Sequence, residues 1–215
     1  MKILTLLLFF ITHLTISQTI TGNYVMQKTG GLGGDGKLSE KAKKTDIFNY
    51  TYFNYKSKLE LINPTGTQID TLKKYNSQYD FHYETVETVI APSKSIYVKD
   101  LKSNEYERFW IMERKENYIK EKIPNMNWVI INETKTLEGF LCKKATTSLS
   151  KHGFTIKYTA WFSEKIPIND GPANYGGLPG LIFEISAENL FICNLINFKY
   201  DENLKTTIEP IRDSK

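Results

Sequence analysis

Residues 154–162, FTIKYTAWF, put Phe154, Ile156, Tyr158, Ala160 and Phe162 at every second position, with Thr155, Lys157, Thr159 and Trp161 between them. A period of two gives one apolar and one mostly polar face, which suits a half-buried strand and not an amphipathic helix. Short runs rich in Tyr, Phe, Thr, Ile and Val recur along the chain, and a 3.6-residue period is hard to find. Strands are expected at Tyr24–Lys28, Ile47–Ile62, Tyr79–Ile90, Ser95–Lys99, Tyr106–Met112, Tyr118–Ile123, Trp128–Ile130, Gly139–Leu149, Phe154–Phe162, Leu181–Ala187 and Leu190–Tyr200. Breakers such as Asn63-Pro64-Thr65-Gly66, Ala91-Pro92, Pro124-Asn125, Lys151-His152-Gly153 and Glu188-Asn189 separate most of them. Runs joined by such short turns make antiparallel hairpins and a meander, not βαβ units.

Leu190–Tyr200 carries bulk on both faces: Leu190, Ile192, Ile196 and Phe198 on one, Phe191, Cys193 and Leu195 on the other. That pattern implies a sheet covered in part on both sides. The expected fold is mainly β with little helix: a single domain built on a strongly curved antiparallel sheet, as a half-barrel or a sandwich.

The chain opens MKILTLLLFFITHLTIS, a lysine followed by an apolar run and then small and polar residues, the layout of a secretory signal peptide over residues 1–17. Thr15 and Ser17 fit a cleavage before Gln18, and Ile3–Ile11 is too short to span a bilayer. Residues 18–215 are then one exported domain that does not span a membrane. Removing one of 28 basic and none of 24 acidic residues leaves a net charge of 27 − 24 = +3, too small and too dispersed to argue for nucleic acid.

Motifs that carry chemistry are mostly broken. Gly31-Leu32-Gly33-Gly34-Asp35-Gly36-Lys37 follows a phosphate-binding loop for seven places, but Leu38 stands where magnesium needs a hydroxyl, so a surface loop is expected. Beyond the signal only His82 and His152 remain, which predicts no metal and no histidine-based hydrolase. With the 142–162 hairpin turning near residue 151, Cys142 lies opposite Ala160 and about 25 Å from His152 at the tip, at roughly 3.3 Å per residue. Cys142 and Cys193 are the only cysteines, and an exported chain with an even count favours a disulfide; two separate buried thiols are the alternative. No cofactor is implied.

From Trp128 onward, Thr134-Lys135-Thr136-Leu137-Glu138-Gly139-Phe140-Leu141-Cys142, Ala160-Trp161-Phe162, Glu164-Lys165-Ile166-Pro167-Ile168, Gly171-Pro172 and Tyr175-Gly176-Gly177-Leu178-Pro179-Gly180-Leu181-Ile182 follow in order. This order resembles the GLPGLI family of exported bacterial proteins, most clearly over about residues 110–187. Phe140 stands where such proteins often have tyrosine. The resemblance implies export, a β-rich single domain and a place at the envelope of a Gram-negative cell alongside outer-membrane transport. It carries over no catalytic residue.

Each proline here biases its predecessor towards extended backbone, and Gly176, Gly177 and Gly180 allow positive φ or close approach. The stretch is expected to be an ordered irregular connection that crosses the sheet and delivers Leu181–Ile185 as a strand, with Trp161 and Tyr175 against its glycines. Trp128, Trp161, Pro172, Tyr175, Gly176, Gly177, Leu178, Pro179 and Gly180 are therefore the candidate ligand-binding or architectural residues. The leading functional expectation is a non-enzymatic envelope protein, a carrier or accessory for an apolar ligand or an outer-membrane partner. The alternatives are a carboxylate enzyme using Glu164, Asp170 and Glu184, and a thiol-redox protein using Cys142 and Cys193.

Overall fold

The computed structural model describes residues 19–30, 44–64, 66–76, 78–89, 91–151, 154–201, 204 and 206–212. The signal segment, most of the glycine-rich stretch and His152 lie outside them. Thirteen strands follow one another: β1 (Thr19–Lys28), β2 (Asp46–Phe53), β3 (Lys56–Leu61), β4 (Gln68–Asn76), β5 (Phe81–Val89), β6 (Lys94–Asp100), β7 (Glu105–Met112), β8 (Lys115–Lys122), β9 (Val129–Leu137), β10 (Phe140–Lys151), β11 (Phe154–Ser163), β12 (Leu181–Ala187) and β13 (Phe191–Asp201). Among the described residues there is no helix, and so none that is long and apolar enough to cross a membrane.

Three tight turns set the hairpins. Asn54 and Tyr55 (φ 47° and 62°), Glu113 and Arg114 (50° and 64°), and Glu138 and Gly139 (46° and 81°) each form a two-residue loop with both residues at positive φ. That is the turn whose twist matches paired strands. The first of these splits the run expected as one strand, Ile47–Ile62, into β2 and β3. Strand β4 was not expected, because Gln68, Asp70, Lys73 and Lys74 obscure its alternation.

Eleven strands form one antiparallel sheet in the order β8-β7-β6-β3-β2-β1-β13-β12-β11-β10-β9, while β4 and β5 pair only with each other. The first and last strands meet at its centre, with Tyr24 paired to Leu195. Strands β8 and β9 are the two outer edges, yet only residues 123–128 join them. Ten inter-strand steps laid flat separate the edges by about 48 Å, whereas the link from Lys122 to Val129 reaches about 25 Å. The sheet must therefore curl, and it does so without closing: a half-barrel, not a sandwich.

The core lies in the hollow of that curve, built from Tyr24, Tyr50, Phe162, Leu178, Leu181, Phe183, Ile185 and Leu195. Strand β11 keeps its expected alternation, with Ala160 and Phe162 fully buried and Lys157 exposed. Strand β13 does not carry two covered faces. Cys193 and Leu195 are buried, but Ile192 and Ile196 are 38% and 37% exposed. A bulge at Asn197 (φ 55°) adds one residue opposite Gly22 and turns Phe198 inward, onto Phe140 and Phe183. The apparent second face is this change of phase. On the outer face, residues 206–212 lie across the β6–β7 wing, where buried Glu107 accepts a 2.8 Å hydrogen bond from the Ile211 amide.

Candidate functional site

Residues 164–180, between the adjacent strands β11 and β12, dip into the hollow of the sheet and fill it. Ile166, Asp170, Gly171, Pro172, Ala173, Leu178 and Gly180 are all buried there. Without regular structure, this backbone satisfies itself through close returns: the Leu181 amide donates to Ile166 O at 3.0 Å, Ile182 to Asp170 O at 2.9 Å and Tyr175 to Pro172 O at 2.9 Å. Side chains add further hydrogen bonds to it and to the start of β12. Trp128 Nε1 donates to Gly176 O at 2.8 Å, Asn169 Oδ1 accepts from the Gly177 amide, and Tyr24 Oη donates to Ile182 O at 2.5 Å. The expectation of an ordered irregular connection that delivers Leu181–Ile185 as a strand is met, but the segment does not carry the chain across the sheet, because β11 and β12 are neighbours.

The glycines act in two ways. Gly177 (φ +89°) turns the chain beneath the Trp128 indole. Gly180 has no positive φ; it presses against β11, where a Cβ would stand 2.2 Å from Ser163 O. Trp128, not Trp161, lies against Gly177. Trp161 sits elsewhere on the sheet with Lys135 Nζ 4.4 Å from its ring, and Lys135 is paired with Glu184. Tyr175 stacks between Tyr158 (5.8 Å) and Phe191 (6.1 Å), Leu178 and Pro172 are core, and Pro179 is exposed.

At the centre of the crossover, Asp170 (0% exposed) meets Lys99 of β6 (3%) in a buried ion pair. Tyr50 Oη donates to Asp170 Oδ2 at 2.8 Å, and Lys99 Nζ donates to Gly171 O at 2.6 Å and Tyr175 O at 2.9 Å. Burial pushes the Lys99 pKa down, with Asp170 opposing it. Burial first, and then the charge of Asp170, holds Tyr50 and Tyr24 well above the usual tyrosine value, so both hydroxyls keep their protons. Asp170 was named from sequence; Lys99, Tyr50 and Tyr24 were not. The one sign available was a lysine in the inward phase of Ser95 and Tyr97, masked because the opposite phase, Ile96 and Val98, is the more apolar.

The three candidate carboxylates do not converge: Glu164 pairs with Lys143 at 2.7 Å, Glu184 with Lys135 at 2.7 Å, and Asp170 with Lys99. Of the two readings of the cysteines, a disulfide or two separate buried thiols, the structure has the second. Both cysteines are free and buried. Cys193 pairs across the sheet with Ile185, Ile185 with Ala160, and Ala160 with Ala145. The two thiols thus sit on strands three spacings apart, about 14 Å along the sheet, too far for a bridge without backbone movement. The hairpin turns later than expected, pairing Ala160 with Ala145 and not with Cys142. Burial raises the Cys142 pKa to about 11 and that of Cys193 to about 12, so neither is an effective nucleophile.

Among the described residues no three His, Cys, Asp or Glu side chains gather to hold a metal. A cleft of about 320 Å³ adjoins the crossover, lined by Leu101, Asn104, Ile123, Pro124, Asn125, Asn169 and Gly177. It opens beside the buried ion pair without reaching it.

These features define a plugged, open half-barrel. A family model described as a protein of unknown function (Porph_ging) matches residues 150–184, which hold β11, the crossover and the start of β12. No curated protein matches the chain. Two crystal structures of PNGF-II, in C2 and P21 space groups, share the fold with TM-scores of 0.53 and 0.51 at 15% and 14% identity. Each match covers 88% of this chain, which spans only 29% of the length of PNGF-II.

Proposed function

We propose that the chain is an exported envelope protein of the GLPGLI kind that works by binding, without catalysis, and that an outer-membrane protein partner is its target. The observation that carries this reading is the filled hollow. The crossover occupies the space in which an apolar ligand would sit, so cargo transport would require the crossover to leave the core. The polar groups beneath it are sealed, the three carboxylates are held in separate ion pairs, and the thiols are too far apart to cycle. Accessible surface for a partner includes the cleft beside Asn169 and Gly177 and the open edges β8 and β9.

Edge β8 carries Lys115, Lys120 and Lys122, which discourage pairing with another chain. Edge β9 exposes Val129 and Ile130, and there a partner strand has main-chain groups to pair with. The test is native mass spectrometry, with cross-linking, on mature protein isolated gently from its own envelope. The expected result is a defined protein partner cross-linked near β9 or the cleft. A co-purifying lipid would restore the carrier reading, and a bare monomer without cross-linked partner would overturn binding as the function.

A further inference from the structure

Lys99 and Asp170 face each other where almost no solvent reaches, at 3% and 0% exposure, with Nζ against Oδ1. Two backbone carbonyls, Gly171 O at 2.6 Å and Tyr175 O at 2.9 Å, take two of the N–H directions of Lys99. The Asp170 carboxyl lies against the same nitrogen, yet its Oδ1 accepts no hydrogen bond of ordinary geometry, so the two groups touch without being satisfied by each other. On the far side of that carboxyl, Tyr50 Oη donates to Oδ2 at 2.8 Å. Two charges without water are costly to keep, and passing one proton from Nζ to Oδ1 removes them together. The product is a neutral amine, held by two carbonyls, beside a carboxylic acid whose C=O is polarised by a phenol. Reactants held together in this way at a dry site, with one hydroxyl donor on the carboxyl oxygen, are set for acyl transfer.

We propose that Lys99 and Asp170 are joined by an intramolecular isopeptide bond, a modification site that fastens β6 to the crossover. The Nζ lone pair bonds to Cγ of Asp170, and the Cγ–Oδ1 bond breaks. Oδ1 leaves as water, carrying the proton received from the ammonium and a second from the attacking amine. Lysine ammonium plus aspartate give one secondary amide and one water, with no oxidant, reductant or cofactor. Tyr50 stabilises the charge that develops on Oδ2, which becomes the amide carbonyl oxygen. The remaining N–H keeps a backbone carbonyl as its acceptor. Two buried charges disappear, and the water is released from a site that excludes it. The link closes a loop from residue 99 to residue 170 and so restricts the unfolded chain.

The test is mass spectrometry on folded, full-length mature protein. The denatured wild type is expected to be lighter than its chain by one water, and proteolysis to yield a branched peptide joining the Lys99 and Asp170 segments. Asp170-Gly171 can also lose water by cyclising onto the next backbone nitrogen, so Lys99→Arg is the second measurement: the loss must vanish. Water loss that persists in Lys99→Arg overturns the proposal in favour of that local imide. Recovery of the Lys99 and Asp170 peptides separately, each at full mass, from folded wild type overturns it whatever the variant does.

Discussion

Between β3 and β6 the chain leaves the sheet and returns to the neighbouring place, and between β11 and β12 it does so again. The first excursion makes its own regular structure, the ribbon β4–β5, with Gln68 paired to Val89 and Asn76 to Phe81. The second makes none and goes into the core. A ribbon satisfies its amides in its own ladder and asks little of the rest of the molecule. A buried irregular segment must have its donors and acceptors met one at a time, which is why Lys99 and Trp128 reach into it, Asn169 within it closes onto the Gly177 amide, and Tyr24 holds the strand it leads into. Composition follows the same division: three prolines, Pro167, Pro172 and Pro179, remove donors where no ladder exists to receive them.

Gly180→Val is the change that breaks this arrangement most completely. Its Cβ lands 2.2 Å from Ser163 O and 2.6 Å from the Ser163 carbonyl carbon, and backbone on both sides must move. A loss of about 4 kcal/mol or more is expected, the range of severe core strain, measured as a lower urea midpoint. A positive φ would have given a cost at Gly180 for a different reason; here even Gly180→Ala is expected to destabilise. Wild-type stability in Gly180→Val would show that the crossover does not press on β11.

Lys99→Met comes next. It removes the ion pair that fastens β6 to the crossover and leaves Asp170 buried with Tyr50 alone. Breaking one side of a buried pair costs at least about 3 kcal/mol, read again by urea denaturation. The comparison sharpens if proteolysis of the variant begins within 164–180 and not in the ribbon, since the plug then opens before the rest.

How far the two excursions were legible depends on where their information sits. The crossover is written locally, in Ile166-Pro167-Ile168, Gly171-Pro172 and Gly177–Ile182, so its path and its irregularity could be read directly. What it meets is not local. Lys99 lies 71 positions before Asp170, and a lone lysine in a strand reads as solvated until the sheet is curled. The β2–β3 turn was hidden for another reason: Tyr55 adopts positive φ with no glycine to announce it. At β13, one extra residue at Asn197 reverses inside and outside, and a single-residue bulge leaves no trace in an alternation that remains apolar on both phases.

Alkaline pH probes the buried side of the comparison without mutation. Tyr24 and Tyr50 have folded pKa values well above the ordinary value, from burial and the neighbouring Asp170 charge. A raised folded pKa contributes stability that is fully present below about pH 10, the unfolded tyrosine value, and that is lost as pH rises through the folded value. Denaturant stability should therefore fall above about pH 10, with these two rings ionising only as the protein unfolds. The double change to Phe at both positions should flatten that decline; an unaltered decline would place its origin outside the crossover.

The smallest effect is expected from the largest deletion. Glu60 pairs with Ile96 across β3 and β6, so the chain ends left by excising residues 67–90 already lie side by side and a short glycine turn can join them. Strands β4 and β5 contact each other extensively and no other strand comparably, and a lone two-stranded ribbon is at best marginally stable in water. Excision removes a structure that contributes little to the half-barrel, and also shortens the loop between β3 and β6, a change worth only tenths of a kcal/mol to about 1 kcal/mol. Thermal and urea unfolding of the excised protein should match the wild type to within about 1 kcal/mol. A loss as large as that of Lys99→Met would mean that the ribbon lies against the sheet in solution, and that both excursions are held by contacts their own sequences do not contain.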